Sequence, residues 1–309
     1  MAFWATGSLL LAVTAWMSAS TPVLAVCRPE YRKRPTHTAC QSPASWCKVT
    51  VSGVDAAERA RILKMHNDYR SQVAKGRLPG FPAAADMQEL LWDDEMADVA
   101  QAHASLCVPP GGRLDHDKHE DRFTTRFDIT GQNLGLQFSS HPPAGPDWKP
   151  VIDGWFNEYA DYPPDLVSGF PRQQTRKATG HFTQVVWAKS RYVGCGYAYY
   201  IATGTRLPHM RKYTCNYYEG GNVVTRPVYL SGTTCSACPP STRCKLSTGL
   251  CGDQSSGQQG MSWLSWLLVG AAVVFGLALA GAGAFFLRQR YLAQSSTAPS
   301  DKTGGTTAG

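Results

Sequence analysis

Gly180–Ala198 reads GHFTQVVWAKSRYVGCGYA. Within it His181, Thr183, Val185 and Trp187 alternate with Phe182, Gln184 and Val186, a period of two that predicts a strand with two different faces. A second strand is predicted at Val193–Tyr200, carrying Cys195, and a third at Arg211–Tyr218, carrying Cys215. The loop between them holds Gly204 and Pro208 and suits a hairpin, which would set Cys195 near Cys215. His181, polar and metal-competent, then stands at the mouth of a β-sheet that a disulfide can staple.

Upstream, Asp55-Ala-Ala-Glu58 is a capping box, in which the Asp55 carboxylate accepts the N3 amide. The helix it starts places Ile62, His66 and Arg70 on one face, and Gly76 and Pro79 end it. Asp93 or Asp94 caps a second helix whose buried stripe is Met96, Val99, Ala100 and His103, so His103 reads as a hydrogen-bonded core residue. Asp115–Arg122, DHDKHEDR, reads as a solvated loop; His116 and His119, three apart, would suit a metal only on a helical turn. Gly131-Gln132-Asn133-Leu134 precedes the Pro-rich loop His141–Pro150. A third helix over Pro150–Tyr159 buries Val151, Ile152, Trp155 and Phe156 and leaves Glu158 on a different face.

The apolar run Leu9–Val13 and the small-residue site Val23-Leu24-Ala25 predict a signal peptide over 1–25, although its n-region has no Lys or Arg. All ten cysteines lie between Cys27 and Cys251, and an even number in an oxidising compartment predicts disulfides. Cys235-Ser-Ala-Cys238 has no βαβ surroundings, which argues against a redox pair. The net charge of +7 is thinly spread, and its one dense run, Arg28–Arg34, reads as a solvated basic patch. The chain lacks the basic-aromatic pattern of a nucleic-acid groove.

Trp263–Leu287 contains no charge and no proline and is long enough to span a bilayer, for which ~20 apolar residues suffice. Arg288 and Arg290 follow it, predicting a single-pass type I protein at the cell surface or in a secretory-pathway membrane, with 288–309 as cytoplasmic tail. Ala272, Gly276, Ala280 and Ala284 form a small-residue stripe that permits dimerisation. The organisation expected is a Cys-containing segment 26–54, a main domain 55–230, a Cys-rich hinge-like segment 231–252, a linker 253–262 open to proteolytic shedding, and the spanning helix 263–287.

GHFTQVVW followed by GCGYA, and then YTCNYYEGGNV, resembles the signature motifs of the CAP superfamily: cysteine-rich secretory proteins, antigen 5 and pathogenesis-related proteins. The likeness runs from about Ala56 to Val228. It implies an α+β fold, a three-layer α-β-α sandwich followed here by the hinge and the transmembrane helix. His66-Asn67-Asp68-Tyr69-Arg70, Gly131-Gln132-Asn133, Trp155-Phe156-Asn157-Glu158 and Gly180–Gln184 match four family motifs. Together they imply that His66 and His181 meet Glu158 and Gln132 in one cleft. Gln132 stands where many members have Glu and brings no charge. Zinc on His66 and His181 would then depend on Glu158 or water and be held weakly. The resemblance also implies the disulfides Cys195–Cys215, Cys235–Cys244 and Cys238–Cys251, with Cys107 paired to one of Cys27, Cys40 or Cys47. The family's ion-channel-regulating module has no counterpart here.

The function so implied is a membrane-tethered, non-enzymatic extracellular binding module for a lipid, a sterol or a protein partner. The alternative is a metal-dependent hydrolase with His66 and His181 on the metal and Glu158 as base. A third reading makes the four residues a polar network that orders the cleft.

Overall fold

The computed structural model describes residues 27–173 and 176–253. The signal segment, the 263–287 span with its Ala272, Gly276 and Ala280 stripe, and the tail lie outside these residues. Among the described residues no helix is long and apolar enough to cross a membrane.

The elements in order are β1 (Val49–Ser52), α1 (Ala56–Ala74), β2 (Leu91–Trp92), α2 (Asp94–Ser105), β3 (Gly131–Ser139), α3 (Trp148–Asn157), α4 (Gly180–Val185), β4 (Tyr192–Ile201), β5 (His209–Tyr218), β6 (Thr242–Lys245) and β7 (Leu250–Asp253). β1, β4, β5 and β3 form an antiparallel sheet in that order, and β2 adds to β4 in parallel. The β4–β5 hairpin sets Cys195 opposite Cys215, and the two are bonded.

Strand periodicity sorts the sheet's side chains into two layers. Tyr197, Tyr213 and Tyr217 face α1 and α3, where Trp148 meets Tyr213 edge-on and His66 meets Tyr217. Lys212 and Thr214 face α2, where Lys212 Nζ and the Thr214 hydroxyl bond the carbonyl and ring of His103. Gly194 and Gly196 let α2 come this close: a Cβ on Gly196 would lie 2.3 Å from Gln101 Cα, and one on Gly194 2.2 Å from Ala97 N.

Several expectations hold in detail. Asp55 accepts from Glu58 N at the start of α1, and Asp93 from Met96 N at the start of α2. His103 is buried and bonds Thr214, its pKa pushed down to about 3 by burial and then by Lys212. The remaining disulfides are Cys27–Cys40, Cys47–Cys107, Cys235–Cys244 and Cys238–Cys251. The hinge-like segment docks on the main domain: Cys251 N donates to Met87 O, Glu89 N to Cys251 O, and Lys245 reaches Glu89 at 2.6 Å.

Others are corrected. Gly180–Val185 is a helix, not a strand. Phe182 through Ala188 are all buried, so the alternation in sequence does not separate a wet face from a dry one. Thr183, a strand-prone residue, instead turns its hydroxyl onto Asn222 Oδ1 at 2.6 Å and back toward Thr179 O and Gly180 O. The Arg28–Arg34 run is not a free basic patch: Tyr31 is buried with its hydroxyl on Glu95, Arg28 pairs with Glu95 and Asp98, and Arg34 with Asp121. β1 and β3 join the sheet from stretches whose sequence marked no strand.

Candidate functional site

The buried core beneath the site is organised by Arg70. Its guanidinium donates to the carbonyls of Gln88, Val185, Trp187, Ala188 and Ser190 at 2.8–3.1 Å, tying α1 to the end of α4 and the turn after it. Gln184 accepts from Gly221 N and donates to Ser190 Oγ, so the turn after α4 and the Gly220-Gly221 loop share one anchor.

α4 presents its first turn to Glu158, at the end of α3. Glu158 Oε2 accepts from the amides of His181 and Phe182 at 2.9 and 3.1 Å, and Oε1 accepts from His181 Nδ1 at 2.7 Å. The carboxylate thus serves two helix-terminal amides, which favour an anion. It also fixes the imidazole, so the Nε2 of the partly exposed His181 is the ring nitrogen left for a ligand.

Gln132, at the start of β3, sits on the α2 side of the sheet. Its Nε2 donates to Asn216 Oδ1 at 3.1 Å and its Oε1 accepts from His116 Nδ1 at 2.8 Å. His116 is therefore not a free member of a solvated loop. Crowding of its ring lowers its pKa most, the bond to Gln132 opposes this, and the charges of Arg122 and His181 lower it further. The charge of His181 is among those that lower the His116 pKa, and in both rings Nδ1 is the nitrogen engaged by a protein partner.

His66 lies elsewhere. It is fully buried on the α1 side, its Nδ1 donating to Ile62 O at 2.8 Å and its Nε2 bonded to the Tyr217 hydroxyl at 2.9 Å. Burial pushes its pKa down to about 4; the Ile62 bond opposes this and the Arg70 charge adds to it. The Trp155 ring stands 6.4 Å from His66 and 6.1 Å from His181. Both ring nitrogens of His66 are committed to protein partners, so the expected His66–His181 pair is not formed; the structure brings His116 to Gln132 and His181 to Glu158. His119 begins a separate 3₁₀ turn.

Among the described residues, three or more ligand atoms of His, Cys, Asp or Glu converge within 4.8 Å only at Cys235, Cys238 and Cys251. All three are in disulfides and have no thiolate to offer.

The family model described as "CAP: Cysteine-rich secretory protein family" matches residues 63–217. A protein described as CRISP/Allergen/PR-1 from Trittame loki is 37% identical over 78% of this chain and 57% of its own length. Venom allergen-1 of Aedes albopictus is 31% identical over 74% of this chain and 88% of its own. The chain spans little more than half the length of the first of these. Among solved structures, that of NaASP2 with Zn2+ superposes with a TM-score of 0.51 at 26% identity, over 64% of this chain and 97% of that one.

Proposed function

The chain belongs to the cysteine-rich secretory protein (CAP) family, and from that premise we propose that it is a non-enzymatic extracellular binding module. Five disulfides and no free cysteine among the described residues support an oxidising compartment. The observation that carries the non-enzymatic reading is the state of Glu158. Three donors occupy its two oxygens. As a general base it would have to break the cap of α4 and release His181. Gln132 offers no second base, and the cysteines are oxidised. The predicted hydrolase therefore cannot use His66 as its metal ligand, and its carboxylate is already engaged.

The same geometry supports a weak divalent-metal cleft on His181 and His116. Glu158 and Gln132 hold their Nδ1 protons and turn Nε2 into the ligand atom, the outer-shell arrangement usual for metal-binding histidines. Zinc there would take its remaining ligands from water or a bound anion. The NaASP2 structure with Zn2+ lends this reading support from a relative. The ligand class we favour remains a lipid, a sterol or a protein partner. The span predicted at 263–287 would hold the module at the membrane surface.

Calorimetric titration of zinc into residues 26–253 tests the metal half. One-to-one binding lost in His181→Ala and His116→Ala is expected, and no binding by the unaltered chain would refute it. Hydrolysis by the purified module, abolished in Glu158→Gln with the fold intact, would overturn the non-enzymatic reading. Failure to bind sterols, fatty acids or cell surfaces above background would remove the binding role.

A further inference from the structure

A groove of about 770 Å³ lies away from the His181 cleft and shares none of its residues. Its volume falls in the range of ligand sites, roughly 300–1,000 Å³. It opens at an interruption in the sheet edge. β1 covers β4 at residues 198–200 and β2 covers it at 192–193. Between them, Gly53 N still reaches Tyr197 O at 3.1 Å and the side chain of Gln101 fills in beside it: Nε2 donates to Tyr197 O at 2.9 Å, and Oε1 accepts from Tyr197 N and Gly53 N at 3.0 and 3.1 Å. Residues 50–54, at and beyond β1, form one long wall.

The lining carries four carboxylates, Asp55, Glu58, Asp94 and Asp98, against one cation, Arg59. Arg59 is committed to Asp94 at 2.7 Å and lies over the Trp92 ring at 5.1 Å, while Asp98 is met by Arg28 at 3.4 Å. Asp55 and Glu58 form no ion pair among the described residues. Burial raises the Glu58 pKa and the neighbouring Asp55 raises it further, against a smaller opposing effect of the Arg61 charge. Three polar atoms of lining residues are buried without a partner: Trp92 Nε1, Arg59 Nε and the hydroxyl of Tyr197, a residue only 1% exposed. The first two are obligate donors, but all three atoms are closed to solvent and lie behind the groove surface, so what the groove offers a ligand is its carboxylates.

A ligand that answers this charge and the long wall of residues 50–54 carries a positive side chain on an extended backbone. We propose that this groove docks an extended basic segment of a protein partner, with a lysine or arginine side chain against Glu58 and Asp55. The site is independent of the metal cleft, and the proposal stands or falls separately from it.

The test is fluorescence anisotropy with the purified full chain and a labelled, end-blocked peptide of alternating lysine and threonine. Saturable binding with a Kd on the order of 10–100 μM at low salt is expected, weakening as salt rises. Glu58→Gln should weaken it about tenfold, and Val51→Lys, at a groove-wall position 49% exposed, by a similar factor. Gln at 58 keeps a capping-box side chain and Val51 is at the surface, so both variants should fold, which their thermal melts check. Four outcomes would overturn the proposal: no binding of the basic peptide, equal binding of a glutamate–threonine peptide, wild-type affinity in both variants, or equal affinity for lysine amide alone, which would make this a small-amine site.

Discussion

Replacing Arg70 with methionine tests the central claim about the core. The side chain is fully buried and donates to five carbonyls. Two of these have a second donor: Trp187 O accepts from Ser190 N, and Ala188 O from Gln88 N. Those of Gln88, Val185 and Ser190 have no other donor among the described bonds. Leaving a buried acceptor unpaired costs about 1–3 kcal/mol, so three cost about 3–9 kcal/mol. Methionine also removes the burial penalty of a charge, worth several kcal/mol. With the three acceptors costing near the top of their range, the net loss expected for Arg70→Met is about 3–5 kcal/mol, a large share of the roughly 5–15 kcal/mol that holds most domains together. Arg70→Lys keeps the charge but loses the planar fork that reaches all five oxygens, and should lose about half as much. Urea denaturation of residues 26–253 with disulfides intact reads both, the lysine variant reporting should methionine fail to fold. A methionine variant within about 1 kcal/mol of the parent would refute the view that this guanidinium, rather than apolar packing, binds α1 to the α4 region.

Three further outcomes follow from the same structure. Gly196→Ala should lose more than about 3 kcal/mol, because its Cβ would meet α2 backbone at 2.3 Å and the helix must lift off the sheet; a melt within a few degrees of the parent would contradict this packing. His66, whose folded pKa is depressed from 6.5 to about 4, binds its proton more readily when unfolded, so its contribution is fully present above about pH 6.5 and lost as pH falls toward 4. At 1.36 kcal/mol per pKa unit that is about 3 kcal/mol, and His66→Gln should flatten the urea midpoint against pH over this window; an unchanged slope would count against it. Removing Cys47–Cys107, with a sequence separation of 60, should cost about 1 kcal/mol more than removing Cys27–Cys40, with a separation of 13, which serine pairs at each bridge would measure.

Much of this was legible in the residues. Two helix caps, the His103 position and the β4–β5 pairing follow from side-chain chemistry and period, and the family resemblance supplied the hinge disulfides. The α4 misreading has a physical cause. In a short segment buried on all sides, a two-residue alternation of bulky and polar side chains does not report accessibility. The polar members, Thr183 and Gln184, are satisfied inside by Asn222 and Gly221. Period-two reasoning presumes one wet face, and here there is none. β1 was hidden because four residues next to a cysteine-rich segment carry too little pattern to separate a strand from coil.

The histidine assignment failed for a reason that the sheet makes plain. Gln132 and Asn133 are adjacent in β3, so their side chains leave opposite faces. Asn133 bonds the Tyr217 hydroxyl and His181 O on the α1 side, while Gln132 bonds Asn216 and His116 on the other. A histidine on α1 that reaches Tyr217 is therefore committed to the Asn133 face and cannot join Gln132. Once Gln132–Asn133 is read as strand rather than loop, period two puts the Tyr217-bound His66 and the side chain of Gln132 on opposite faces of β3. The imidazole that meets Gln132 comes instead from DHDKHEDR, the His-bearing stretch between α2 and β3. The sequence thus held the signal for His116, but it becomes visible only after β3 is recognised, and β3 begins at the very residues whose functional motif drew attention away from their conformation.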